Sequence, residues 1–215
     1  MLAVLTNGTL IDASMAQAMA ELRMDFVQVS IDGDERQHDA IRGRGAYQKA
    51  VRGLKYLVAA GLNTSISFTA HQANYRSFPA VTAMAAAVGA RHVWSDRLIP
   101  TGEGELLQPL TKEDFQAYLQ IMQAEKIRYA GVLHVKLQRA LQFMASGDEP
   151  YSCTAGRLLL TLLPDGTVYP CRRMPISLGT IQARSLAEIF WSDKTICALR
   201  DDSRVDPACT GCLQR

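Results

Sequence analysis

Val27-Gln28-Val29-Ser30-Ile31-Asp32-Gly33 is a run of strand-forming residues that ends in a hydroxyl, a carboxylate and a glycine. Valine and isoleucine fit a pleated, buried surface, and the closing Asp-Gly marks where such a strand stops. The run belongs to a series. Ala3–Leu5, Phe26–Ile31, Thr64–Thr69 and His92–Ile99 are all rich in valine, isoleucine, threonine or aromatics. Between them lie stretches with apolar residues three and four apart, the spacing of one helix face. Ser14 to Arg23 aligns Met15, Met19 and Leu22; Tyr47 to Ala60 aligns Val51, Leu54 and Leu57–Val58 before Gly61; Phe78 to Val88 stops at Gly89. Repeated strand–helix units predict parallel strands joined by right-handed crossovers.

Downstream, residues 112 to 145 read as helices with Thr111 as N-cap, interrupted at Gly131 before a short strand over Leu133–Val135. The character changes at Gly147. Prolines 150, 164, 170, 175 and 207 punctuate short segments, and Leu158–Leu163 and Thr167–Tyr169 flank Pro164-Asp165-Gly166, a hairpin signal. A domain boundary is expected near Gly147–Tyr151.

Composition narrows the function classes. Nearly half of the 215 residues are apolar and a fifth are charged, the balance of a globular protein. A net charge of +2 argues against nucleic acid as a partner. No apolar run approaches the roughly 20 residues of a membrane span, and no signal-peptide pattern opens the chain. Cytoplasm is the expected location, with no membrane partner. All five cysteines (Cys153, Cys171, Cys197, Cys209 and Cys212) fall in the last third. In a reducing compartment such clustering points to metal ligation or redox chemistry.

Strand ends carry the candidate chemistry. In parallel α/β folds the carboxyl ends of the strands form the active-site face, which directs Ser30 and Asp32 at a ligand such as a ribose or an amino-acid head. The alternative is that Asp32-Gly33 only turns the chain and Ser30 packs. Leu5-Thr6-Asn7-Gly8-Thr9-Leu10 is a second polar strand end, or an Asn-Gly turn and nothing more. Arg97-Leu98-Ile99-Pro100-Thr101-Gly102-Glu103-Gly104 runs a strand into a glycine-rich loop, but without a Walker lysine or an immediate helix to make a phosphate cradle. His38, His71, His92 and His134 lack metal-ligand spacing; His71, at a strand end, is the most suggestive of them. Cys209-Thr210-Gly211-Cys212 puts two thiolates on one turn, and soft thiolates select zinc or iron–sulfur centres. The alternative is a reduced, unligated pair. Cys197 sits in a helical pattern with Ile196 and Leu199 and reads as a buried small hydrophobe.

Taken in order, Thr6 to Leu10, Val27 to Gly33 and His38-Asp39-Ala40-Ile41-Arg42-Gly43 resemble consecutive segments of radical SAM enzymes. Arg97 to Gly104 is similar to that family's sixth-strand loop. Cys153 to Cys171, with Pro164-Asp165-Gly166-Thr167-Val168-Tyr169-Pro170, resembles the opening of a SPASM domain. Leu178 to Ile181, Ser185 to Phe190 and Cys209–Cys212 continue it. The resemblance implies an α/β fold: a partial (β/α)6 barrel over residues 1–147 lacking its first strands, then a small cysteine-bearing hairpin and helix extension over 148–215. It implies an enzyme in which a [4Fe–4S] cluster cleaves S-adenosylmethionine to a 5′-deoxyadenosyl radical, drawing on an electron donor and acting on a peptide, protein or related substrate. Ser30, Asp32 and Arg42 would contact S-adenosylmethionine, with Asn7 and Arg97 lining the same cavity. Cys153 and Cys171 would serve one auxiliary [4Fe–4S] cluster, and Cys209 and Cys212 a second.

The family's catalytic cluster sits on a CxxxCxxC loop, and no cysteine precedes Cys153. The chain is therefore expected to be part of a longer maturase or a degenerate relative. Two other readings stand beside it: a catalytically inactive module that binds substrate or S-adenosylmethionine, and an α/β protein with one zinc held by Cys153, Cys171, Cys209 and Cys212.

Overall fold

The computed structural model describes residues 2–100, 102–137, 154–171 and 173–201. The chain divides into two compact units, Met1–Glu149 and Pro150–Arg215.

In the first unit, five strands form one sheet in the order β1 (Ala3–Thr6), β2 (Phe26–Ser30), β3 (Thr64–Ala70), β4 (His92–Arg97) and β5 (His134–Leu137). Every neighbouring pair is parallel, with Val29 opposite Ile66 and Ile66 opposite Val93 across the centre. The intervening helices are α1 (Ala13–Glu21), α2 (Glu35–Arg42), α3 (Ala46–Ala59), α4 (Phe78–Val88) and α5 (Lys112–Arg128). Alternation along β2 explains the layering: Val27 and Val29 are buried while Phe26, Gln28 and Ser30 are half-buried. The buried set joins Ile66, Phe68 and Val93 with Leu54, Leu57, Phe78, Val81 and Met122 from the helices in one core. Each fully buried side chain of that size contributes about 1.5–3 kcal/mol. The other face carries Gln28, Ser30, Ser65 and Ser67. Helices gathered on one face and polar residues on the other are the signature of a barrel wall rather than of a doubly wound sheet.

In this unit two sets of bounds differ from the sequence expectations, and one helix was not expected. The fourth strand stops at Arg97, short of Ile99, and Gly102–Leu106 form a 3-10 turn instead. One helix, α5, ends at Arg128, and Gly131 at φ 81° turns the chain so that the fifth strand begins at His134. The part of the helical expectation beyond residue 137 lies outside the described residues. Helix α2 had no counterpart in the sequence reading, because its composition (ERQHDAIR) lacks an apolar stripe. It forms because Asp34 caps it, accepting from Gln37 N at 2.9 Å, with Glu35 at its positive end and Arg42 at its negative end.

The second unit is built around a two-stranded antiparallel ribbon, β6 (Thr161–Leu162) and β7 (Val168–Tyr169), closed by the Pro164-Asp165-Gly166 turn. Asp165 accepts from Thr167 N at 2.9 Å, and Gly166 adopts φ 86°. Helices α6 (Leu186–Ser192) and α7 (Lys194–Arg200) follow, capped by Ser185 and Asp193. Val168, Leu178, Ile189 and Ile196 make the core. Cys197 is exposed, not buried. In a two-turn helix only the Ile196 face reaches that core, and the next residue is rotated about 100° away from it.

No helix among the described residues is long and apolar enough to cross a membrane.

Candidate functional site

The carboxyl ends of β1 to β4 and their loops enclose a cavity of about 910 Å3. Asn7 and Thr9 come from the β1 loop, Asp32 from the end of β2, Arg42 to Lys49 from the α2–α3 connection, and Thr69 and His71 from the end of β3. Leu98, Gly104, Leu106 and Leu107 close the side next to β4.

Asp32 is the centre of the polar network. Its side chain is 5 % exposed, and its Oδ2 accepts from Arg42 Nε at 2.6 Å. Its Oδ1 accepts from Thr69 N at 3.2 Å, tying β2 to β3. The Asp32 backbone is held just as firmly: its N–H donates to His38 Nδ1 at 3.1 Å, and its carbonyl accepts from Asn74 Nδ2 at 2.9 Å. Asn74 also donates to Thr69 O at 3.0 Å, so one amide bridges two strand ends. A buried carboxylate is tolerable when a cation and an N–H satisfy it, which is the arrangement here.

The sequence-predicted residues divide. Asn7, Asp32 and Arg42 come together in the cavity wall. Asn7 does two jobs at once: its Oδ1 accepts from Thr9 N at 3.1 Å and Thr9 Oγ1 at 3.0 Å, so the Asn-Gly turn is real, and its side chain still faces the cavity. Gly8 in that turn has φ 73°, and a Cβ there would lie 2.7 Å from Val29 Cγ1. Ser30 is half-buried on the polar face of β2, opposite Ser67, and does not line the cavity. Arg97 ends β4 as an exposed residue, also outside the cavity wall.

Sequence reasoning missed Asn74 and read His38 only as an ordinary histidine within the His38–Gly43 segment. Nothing in their spacing marks them, and only the fold brings them against Asp32. Burial pushes the pKa of His38 below its ordinary value, with the Asp32 carboxylate opposing that shift. With Nδ1 accepting a hydrogen bond, the ring is a neutral prop for the strand end. Burial likewise lowers the pKa of His71, whose Nδ1 accepts from Ala73 N at 3.3 Å. Asp39 was read only as part of a motif. It clamps the α2–α3 connection, accepting from Gly45 N at 2.6 Å and Tyr47 N at 2.8 Å, and these N–H groups hold its carboxyl below the usual range.

Of the cysteines, Cys171 is a half-buried free thiol that accepts from Arg173 N at 3.5 Å. Cys153, Cys209 and Cys212 lie outside the described residues. Among the described residues, no group of three or more His, Cys, Asp or Glu side chains could hold a metal ion.

Comparison with known proteins places this geometry. The family model of the radical SAM superfamily matches residues 1–80, and that of SPASM, an iron–sulfur cluster-binding domain, matches residues 153–213. AdoMet-dependent heme synthase of Methanosarcina barkeri is 24 % identical over 226 residues, covering 96 % of this chain and 65 % of that protein. PqqA peptide cyclase of Methylocella silvestris is 26 % identical over 224 residues, covering 99 % of this chain and 59 % of that one. The chain thus spans about three fifths of the length of these relatives. The solved structure of native anSMEcpe with bound AdoMet superposes with a TM-score of 0.76 at 20 % identity, over 98 % of this chain and 62 % of that one. The fold is accordingly that of a partial barrel, and its parallel sheet has five strands among the described residues. Sequence and fold agree: the chain carries a radical SAM segment over residues 1–80 and a SPASM segment over residues 153–213.

Proposed function

We propose that the strand-end cavity binds S-adenosylmethionine, and that this chain contributes the barrel and SPASM segments of an enzyme that makes a 5′-deoxyadenosyl radical and modifies a peptide or related substrate. The Asp32–Arg42 pair in the cavity wall carries this reading. A guanidinium has five donors in a planar fork. Asp32 takes the Nε–H, and the terminal nitrogens are left for the amino-acid carboxylate. Asn7 and Asp32 supply hydrogen-bonding groups for the remaining polar atoms, while Leu98, Leu106 and Leu107 suit an apolar or aromatic body. Ser30, on the polar face of β2, and Arg97, at the end of β4, lie outside the cavity wall and belong to the proposal only as supporting residues. Two relatives support the cofactor and the substrate class: one is named for its dependence on AdoMet and another for cyclising a peptide. The reducing chemistry of the family's clusters is that of the cytoplasm, where we place the protein.

The residues present fit the family's clusters unequally. When bound, a [4Fe–4S] cluster supplies the electron that cleaves S-adenosylmethionine. Residues 1–152 hold no cysteine that could ligate that catalytic cluster. Cys153 and Cys171, with Cys209 and Cys212, are proposed as thiolate ligands of auxiliary clusters. Anaerobic reconstitution followed by iron, sulfide and zinc analysis tests them. Iron and sulfide that drop on Cys171→Ala are expected; a colourless protein holding one zinc per chain would replace the clusters with a tetrahedral zinc site. Under reducing conditions the 215-residue chain is expected to release no 5′-deoxyadenosine above background. Release by the purified chain would refute that expectation.

A further inference from the structure

Three cations, Arg42, Arg44 and Lys49, stand in the cavity wall, and among the described residues Asp32 is the only carboxylate lining it. Arg42 is matched by Asp32 at 2.6 Å. Arg44 and Lys49 are exposed and make no ion pair or side-chain hydrogen bond among the described residues. Among the described residues the cavity wall therefore carries two positive charges beyond its internal pairing. Surface lysines and arginines are usually just solvated, so their placement has to decide the matter.

Arg44 sits between Gly43 (φ 95°) and Gly45 (φ 76°). Both are in the left-handed region, which lets the chain bend sharply on either side of the arginine. The bend is then fixed rather than loose. Asp39 accepts from Gly45 N and Tyr47 N, and Ala46 N donates to Gly43 O at 3.1 Å. Lys49 follows in the first turn of α3, its backbone N–H on Gly45 O at 3.3 Å. Asp39 thus spends its own charge on the backbone and leaves both cations facing the cavity uncompensated. Leu98, Leu106 and Leu107 add apolar lining to the same cavity. A ligand with carboxylates on an apolar body complements both features at once.

Resting on the reading that this cavity is the enzyme's reaction chamber, we infer that Arg44 and Lys49 form an anion subsite for the carboxylates of the second substrate, separate from the Asp32–Arg42 pair. Acidic peptide side chains and the carboxylates of a macrocycle share this chemistry. The test uses the full 215-residue chain, with and without S-adenosylmethionine. Its probes are a dansyl-labelled tetrapeptide amide with two central glutamates, the glutamine version of that peptide, and coproporphyrin III. Arg44→Gln combined with Lys49→Gln, both at exposed positions, is the variant. The glutamate peptide is expected to bind more tightly than the glutamine peptide, or coproporphyrin III to bind in its place. The variant is expected to weaken the favoured probe by roughly three- to twenty-fold, the range for two exposed charge pairs, with S-adenosylmethionine affinity unchanged. The same loss should appear on raising salt, since screening acts over about 8 Å at physiological ionic strength. A variant that loses S-adenosylmethionine in parallel would assign the two cations to the cofactor and overturn the inference. So would binding of neither carboxylate probe, or of both peptides equally. A wild-type chain that ignores S-adenosylmethionine yet discriminates the peptides by charge would sink the cofactor reading alone.

Discussion

Asp32 shows how a single buried side chain can hold a site together. It is a charge that folding would expel unless Arg42 and Thr69 N received it, while His38 and Asn74 fix the backbone that carries it. Removing Arg42 leaves that carboxylate buried without its cation, and since Arg42 is a third exposed the cost falls below that of a fully buried pair. Arg42→Gln is expected to lower stability by about 1–2 kcal/mol in urea unfolding. An unchanged midpoint would mean that solvent already carries the charge. His38 gives a pH signature. Its folded pKa is lowered by burial, so the unfolded chain takes up a proton near pH 6.5 while the folded one does not. Stability is therefore fully present above about pH 6.5 and falls as the pH drops from there toward the folded pKa. His71 and His92 are shifted the same way and add to the slope. Replacing His38 with Gln, which can still accept from Asp32 N, should flatten the fall in Tm between pH 7 and pH 5.5. Equal slopes for both proteins would contradict a neutral buried His38. Asp39 and Asp114, with lowered pKa values, act only at pH below the ordinary carboxylate range.

At the scale of elements, the β1–α1 turn depends on a glycine. Gly8 combines φ 73° with a Cβ position 2.7 Å from Val29 Cγ1. Gly8→Ala should cost about 1–3 kcal/mol, measured by denaturant unfolding, because both the dihedral and the contact must relax. Wild-type stability would show that the turn can move away from β2. In the second unit, Ile196→Ala is expected to cost about 2–4 kcal/mol of that unit's stability, whereas Cys197→Ser should lie within about 0.5 kcal/mol. Cys197 should also react readily with a thiol reagent in the native state, and a silent Cys197 would return it to the core. Sequence periodicity located the first four strands and α1, α3 and α4 to within a few residues, because each has an apolar face that must be buried. It also found the Pro164-Asp165-Gly166 turn, whose chemistry is local. It missed α2, which is held by a cap and end charges rather than by a stripe. It misplaced Cys197 because a seven-residue helix offers too few positions to tell its two faces apart.

At the scale of the molecule, the parallel strand order follows from the strand–helix repeat, whereas the partial barrel was named only through the family resemblance. Part of the cavity was legible as well: Asn7 and Asp32 sit just beyond strand ends, where parallel folds collect their ligands, and Arg42, the last residue of α2, was named only through the family resemblance. The supporting residues were not, since His38 and Asn74 matter only through contacts that span the α2 turn and the β3 end. The radical SAM match over residues 1–80 turns this cavity into a specific expectation, and isothermal titration of S-adenosylmethionine tests it most directly. The wild-type chain should bind one equivalent. Arg42→Gln should bind at least tenfold more weakly while retaining its fold by circular dichroism, the loss expected of one charge-assisted contact. Equal affinity in wild type and variant, or no binding by the wild-type chain, would contradict the assignment of the cavity to S-adenosylmethionine.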